Sequence, residues 1–233
     1  MAKVEEQRQI GSLIVDRAEI NDVIALLKKV TINMPKPLIT QIIELYGKDP
    51  FLILISCLLS LRARDVMTLI ICKELFSKAK TPQDILAMDN SLLEGILYSG
   101  ALYKKKTKIL KEVSNVILTN FNGKVPSSES DLLSIKGVGR KTAALVLAKA
   151  YDIPAICVDV HVHRITNRLG LVNTLTVNQT EEELKRIVPK EYWIDINELF
   201  VTWGQNICLP VSPLCSKCIL APVCLKKEVK KSR

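Results

Sequence analysis

The sequence predicts an all-α protein, and three observations carry that prediction. Apolar residues recur at helical spacing along almost the whole chain. No alternation of apolar and polar residues runs long enough to make a strand. Pro and Gly interrupt the pattern at intervals that suit short connections between helices. With 48% hydrophobic and 24% charged residues, 233 residues make a globular chain of one or two domains, which excludes a peptide scaffold and a disordered or fibrous protein.

Taken in order, Ile20, Val23, Ile24 and Leu27 mark a first amphipathic helix, and Met34-Pro-Lys-Pro37 separates it from a second at 38–46. Gly47-Lys-Asp-Pro50 turns the chain into the apolar run 51–61, broken only by Ser56 and Ser60. That run falls far short of the roughly 20 residues of a membrane span and reads as a buried core helix. Asp65 is expected to N-cap the next helix, 65–76, by accepting an orphan N–H with its side chain. Further helices are expected at 81–88, 90–96, 104–121, 128–135 and 140–151, then from Val158-Asp159-Val160 toward Arg168, at 180–188 and at 192–204. No repeat, low-complexity tract or Gly/Ser linker is present, so any domain boundary is crossed by packed chain. The basic tail 226–233 is expected to fray. Residues 1–11 carry Glu5 and Glu6 and no apolar core, so neither a signal nor a transit peptide fits, and a cytoplasmic location is expected.

Charge narrows the partner. The excess of 33 Lys+Arg over 24 Asp+Glu, +9 in all, favours a polyanion, nucleic acid before membrane. An aromatic content of 5% argues against a module that stacks on single strands. Of seven cysteines, Cys57, Cys72 and Cys157 stand singly in apolar surroundings, whereas Cys208-x6-Cys215-x2-Cys218-x5-Cys224 brings four thiols within 17 residues. Such clustering fits metal ligation better than disulfides, and four soft sulfurs suit either tetrahedral zinc or an iron-sulfur cube. Gly137-Val138-Gly139, between two helices, is either a plain turn or a hairpin that lets the backbone approach a phosphate. Lys136, Arg140 and Lys141 surround it, and the helix that begins there offers free N–H groups and a positive dipole end.

Together the residues resemble a known family. Ile135-Lys-Gly-Val-Gly-Arg-Lys-Thr-Ala143, Val158-Asp159-Val160-His161 with Asp159 eighteen residues after Lys141, and the four-cysteine spacing are similar to endonuclease III, of the helix-hairpin-helix (HhH-GPD) glycosylase superfamily. Leu58-Leu-Ser60 with Asp65, and Leu102-Tyr103 followed by lysines, also match, so the likeness covers nearly the whole chain. It implies a six-helix barrel at about 43–153 with its hairpin at 136–139, a discontinuous cluster domain of 1–42 and 154–233, and an active site in the cleft between them. It implies a 4Fe-4S cluster on Cys208, Cys215, Cys218 and Cys224, structural for DNA binding and outside the hydrolytic chemistry. The implied partner is double-stranded DNA containing damaged bases or abasic sites, bound by a monomer with no membrane association.

Lys141 matches the family's catalytic lysine, whose neutral amine attacks C1′ of a flipped nucleotide and forms a Schiff base that permits β-elimination. A helix N-terminus and Arg140 beside it should disfavour the ammonium form. Asp159 matches the catalytic aspartate, as proton acceptor or as stabiliser of positive charge at the sugar; by itself it reads equally as a helix N-cap. Leu102 is implied to be a wedge beside the vacated base, where its spacing alone suggests a core leucine. Lys104, Lys105, Lys106, Lys108 and Lys111 suit phosphate contacts or a solvated helix face. His161 and His163, two apart, face different sides of a helix and make no paired metal site. Arg62 replaces the family's usual Gln in Ser60-Leu-Arg62-Ala-Arg-Asp65, and as a donor-only cation it should favour opposite bases rich in acceptors, such as guanine. Lys136 replaces a usual Pro, and the loop Leu-Pro-Val-Ser-Pro-Leu between Cys208 and Cys215 lacks the usual basic residues.

The expected activity is a bifunctional glycosylase and abasic-site lyase acting on oxidised pyrimidines, with hairpin and wedge contacts to DNA from Lys136, Gly137, Val138, Gly139, Arg140, Arg62, Leu102 and Lys104. Two alternatives are a monofunctional mismatch or adenine glycosylase and a non-catalytic iron-sulfur DNA-binding protein. The former relatives lack the lysine, and the adenine enzymes carry a carboxylate in the first barrel helix, where 51–64 has none.

Overall fold

The computed structural model describes residues 17–233, and among these no strand forms. The described residues divide into two compact units: Lys36–Cys157, and Val158–Arg233 together with residues 17–35. The expected roles of residues 1–16, as part of the cluster domain and as a segment without a targeting signal, lie outside the described residues. The breaks thus fall at 35/36 and 157/158, against 42/43 and 153/154 expected from the sequence.

The middle unit is built from α2 (Leu38–Tyr46), α3 (Pro50–Ser60), α4 (Asp65–Phe76), α5 (Pro82–Ala87), α6 (Asn90–Leu97), α7 (Tyr103–Asn120), α8 (Glu129–Ser134) and α9 (Arg140–Ala150). The apolar run becomes α3, and every residue from Phe51 to Leu59 is buried, as a helix that is hydrophobic all round must be. It packs on α2, α4, α7 and α9. Its start is set by Pro50, whose missing N–H costs nothing in the first turn, and by Asp49, whose Oδ1 accepts from the N–H groups of Phe51 and Leu52 at 2.9 and 3.0 Å. Thr81 and Asp84 form a reciprocal capping box on α5. Asp65 departs from expectation. It lies in the first turn of α4, no side chain caps that helix, and Asp65 Oδ2 instead accepts from Leu38 N–H at 3.4 Å, at the start of α2.

The flanking unit holds α1 (Arg17–Thr31), α10 (Val160–Leu169), α11 (Val177–Ile187) and α12 (Trp193–Asn206), followed by short 3-10 turns at Cys215–Lys217 and Ala221–Val223. α12 packs on both α1 and α10. The apolar stripe of α1, Ile20, Val23, Ile24 and Leu27, is buried, and Ile165, Ile196 and Phe200 are buried in the same unit. α11 begins three residues earlier than its apolar pattern suggests, because a capping box between Thr176 and Gln179 satisfies its first N–H groups. The tail also departs from expectation. It folds back: Lys227 N–H donates to Arg168 O, Arg233 N–H to Pro213 O at 2.9 Å, and Ser216 N–H to Arg233 O at 3.0 Å.

Candidate active site and cysteine pocket

The hairpin joins α8 to α9. Gly137 has φ +99, a left-handed conformation open to glycine, and a Cβ there would sit 3.2 Å from Ile109 Cγ2, so both the turn and the packing ask for glycine. Val138 is buried and its N–H donates to Ile135 O at 2.9 Å, so it anchors the hairpin and offers neither side chain nor N–H to a ligand. Lys136, Gly137, Gly139 and Arg140 remain exposed around it. Gly139 N-caps α9 and, having no side chain, supplies no side-chain cap to its first turn. Lys141, the second residue of that turn, is exposed, and its charge lies close enough to Cys57 to oppose the burial that pushes the Cys57 thiol up to about 12.

Asp159 sits at the head of α10, 8% exposed. Its Oδ1 accepts from His161 N–H at 2.8 Å and Val162 N–H at 3.1 Å, and its Oδ2 faces His161 Nδ1 at 3.1 Å. The cap role and a fixed, buried carboxylate therefore coexist: the helix start orients one oxygen and the imidazole faces the other. His163 points elsewhere, its Nδ1 2.6 Å from Thr180 Oγ1. Sequence reading missed His161 as the aspartate's partner; its spacing of two residues from an N-cap Asp was the available signal.

In the flanking unit the four clustered cysteines, each part-buried, line one pocket with Arg168, Ile207, Pro213, Leu214, Lys226 and Val229. Burial and neighbouring thiols push the Cys218 and Cys224 thiols up. Two arginines one helical turn apart on α10 hold the loop that carries Cys208. Arg164 donates to Cys208 O (Nη2, 2.8 Å) and Gly204 O (3.2 Å), while Arg168, 8% exposed, donates to Leu209 O (2.7 Å), Pro210 O (2.8 Å) and Cys208 Sγ (3.4 Å). Burial pulls the Arg164 pKa down, and Cys208 opposes that shift. Among the described residues no three His, Cys, Asp or Glu side chains converge as ligands of one metal ion.

The expected DNA-contacting residues fall into two groups. Arg62 and Leu102 are exposed and both adopt a left-handed backbone, φ 57 and 59, at the α3–α4 and α6–α7 junctions. Leu102 is 52% exposed, which removes its reading as a core leucine. A bulky residue held at positive φ is strained, and such strain concentrates at functional sites. Lys104 and Lys105 are exposed, but Lys106 and Lys111 are not surface cations for phosphate. Lys106 is buried with Nζ donating to Leu59 O at 2.6 Å, burial drawing its pKa down, and Lys111 Nζ donates to Leu86 O and Met88 O. Each ammonium neutralises the carbonyl end of a helix, α3 and α5 respectively, which periodicity cannot reveal because both lysines sit within a charged run.

Comparison with known proteins assigns the class. Residues 55–190 match the model of the HhH-GPD superfamily of base excision DNA repair proteins. Similar proteins are endonuclease III of Thermotoga maritima, 42% identical over 176 residues (76% of this chain and 83% of the relative), and that of Bacillus subtilis, 36% identical over 182 residues (78% and 83%). Among solved structures, a non-covalent endonuclease III–DNA complex and a trapped endonuclease III–DNA covalent intermediate each give a TM-score of 0.81 at 31% identity, covering 91% of this chain and 97% of the other. A thermostable thymine-DNA glycosylase gives 0.79 at 26%, over 89% and 94%. The chain belongs to the endonuclease III family of HhH-GPD base excision repair proteins. No helix among the described residues is long and apolar enough to cross a membrane.

Proposed function

We propose that this protein removes oxidised pyrimidines from duplex DNA and cleaves the resulting abasic site, with Lys141 as nucleophile and Asp159 as the assisting carboxylate. The observation that carries this reading is that one chain of the endonuclease III family holds both an exposed lysine in the first turn of the hairpin helix and a buried aspartate whose carboxylate accepts two backbone N–H bonds and faces His161 Nδ1. Neutral Lys141 Nζ attacks C1′ as the glycosidic bond breaks, and the base leaves with the bonding electrons and takes up a proton. The lysine nitrogen loses its extra proton, the sugar ring opens, and an iminium forms. Loss of a C2′ proton then expels the 3′-phosphate by β-elimination, the iminium acting as electron sink. Asp159 stabilises positive charge at the sugar and offers an oxygen for proton transfer. Backbone N–H groups at the start of α9, with Lys136 and Arg140, bind phosphate. Leu102 and Arg62 fill the helix stack where the nucleotide has left.

The donor set at the cysteine pocket suits a 4Fe-4S cluster held by Cys208, Cys215, Cys218 and Cys224, which when bound ties the loop together and supplies no step of hydrolysis. Four thiols lining one pocket, with spacers of six, two and five residues, support a cube over a single zinc ion, whose sites usually pair two short knuckles.

Borohydride reduction in the presence of abasic duplex DNA should trap a covalent protein–DNA adduct, and Lys141→Gln should abolish it while binding to undamaged duplex persists. Undiminished trapping by Lys141→Gln would refute the assignment. The thymine-DNA glycosylase likeness favours a second reading, a base-only glycosylase, and base release without any trapped adduct would select it.

A further inference from the structure

The last eight residues, Lys226 to Arg233, carry five cations against one acid, a net +4 of the chain's +9. They do not trail in solvent. Hydrogen bonds fix them at both ends, Lys227 N–H to Arg168 O (3.3 Å), Arg233 N–H to Pro213 O, Ser216 N–H to Arg233 O and the Arg233 side-chain Nε to Ser212 O, while Lys226 and Val229 line the cysteine pocket. Leu225, just upstream, seats against α10's C-cap, Gly170 (φ +87), where a Cβ would fall 2.3 Å from Leu225 Cδ1. The loop the tail crosses, 209–214, has no charged residue of its own. Lys230 and Lys231 are exposed. A charge cluster on a frayed tail would lose entropy on binding; one already fixed to folded chain loses far less.

We propose that this clasped tail is a phosphate-contacting surface for duplex DNA, separate from the hairpin, that adds sequence-independent affinity. It rests on DNA as the partner and not on the lesion chemistry. The test is the salt dependence of binding to an undamaged duplex, measured by fluorescence anisotropy on the cluster-loaded protein. Each phosphate contact contributes about 0.9 to the slope of log K against log salt, so Lys230→Gln/Lys231→Gln should lower that slope by about 2. Arg at both positions should restore it. An equal charge loss at exposed Lys73 and Lys78, on and just after α4, should leave the slope near the wild-type value. Visible cluster absorbance, equal in all variants, separates charge loss from damage to the pocket; should the double variant lose it, the slope of Lys231→Gln alone, expected to fall by about 1, decides. An unchanged slope, an equal fall in the Lys73/Lys78 variant, or tighter retention on phosphatidylserine vesicles than on duplex would overturn the proposal. Failure of borohydride trapping would overturn the lyase reading and leave this slope as it is.

Discussion

The two units of this chain are held together by different forces. In Lys36–Cys157 the central helix α3 buries nine consecutive residues, and its neighbours lay apolar faces on it, so hydrophobic burial alone places most of the helices. In the flanking unit, the stretch that carries the cysteines has only 3-10 turns and is positioned by charge-assisted bonds from Arg164 and Arg168 to loop carbonyls. The first unit is a core with a hairpin at one end; the second is a helical platform on which a loop is tied. The hairpin is thus built on packed helices, and the cysteine loop on hydrogen bonds from two arginines.

Perturbations should therefore act unequally. The largest effect is expected from Arg168→Met, which leaves two loop carbonyls without their donor and should cost about 3 kcal/mol. Visible cluster absorbance should fall, and hydrogen exchange should quicken over 207–233 while 50–60 stays protected. Gly170→Ala comes next, forcing a side chain into left-handed backbone and against Leu225, at about 2 kcal/mol; the readouts are melting temperature and exchange at the tail. Lys106→Met removes one bond to the end of α3 and should cost about 1 kcal/mol near neutral pH in a denaturant titration. Its pH dependence has a definite sign. The folded protein holds the Lys106 pKa below 10.5, so the unfolded chain binds more protons, and the wild type should gain on the Met variant as pH rises toward that value. The smallest and opposite effect belongs to Cys57 and Cys72, whose thiols burial pushes to about 12 and about 11 from an ordinary 9.0. Their contribution is complete below pH 9 and is lost as pH rises from there, a loss that Cys72→Ala should reduce.

How far the sequence could be read follows the same division. Helices α2 and α4 are legible from periodicity because their apolar faces meet a core. Asp65 was misassigned because a carboxylate at a helix start can serve its own helix or, as here with Leu38, another one. Lys106 and Lys111 hide in a charged run, since nothing local distinguishes a solvated lysine from one that reaches a distant carbonyl. The cysteine spacing is legible as a ligand pattern, yet the arginines that hold the cysteine loop and the tail that clasps it depend on contacts 40 residues or more away for Arg164, and between Arg168 and Lys227 for the tail. At the hairpin, the motif places Lys141 and the exposed glycines, whereas Val138 proves to be an anchor.

The central claim concerns a single nitrogen, and peptide mapping of the borohydride-reduced adduct tests it most directly. After nuclease and protease digestion, mass spectrometry should find the reduced sugar remnant on the peptide containing Lys141. Its appearance on any other lysine or on the amino terminus, with Lys141 unmodified, would contradict the account.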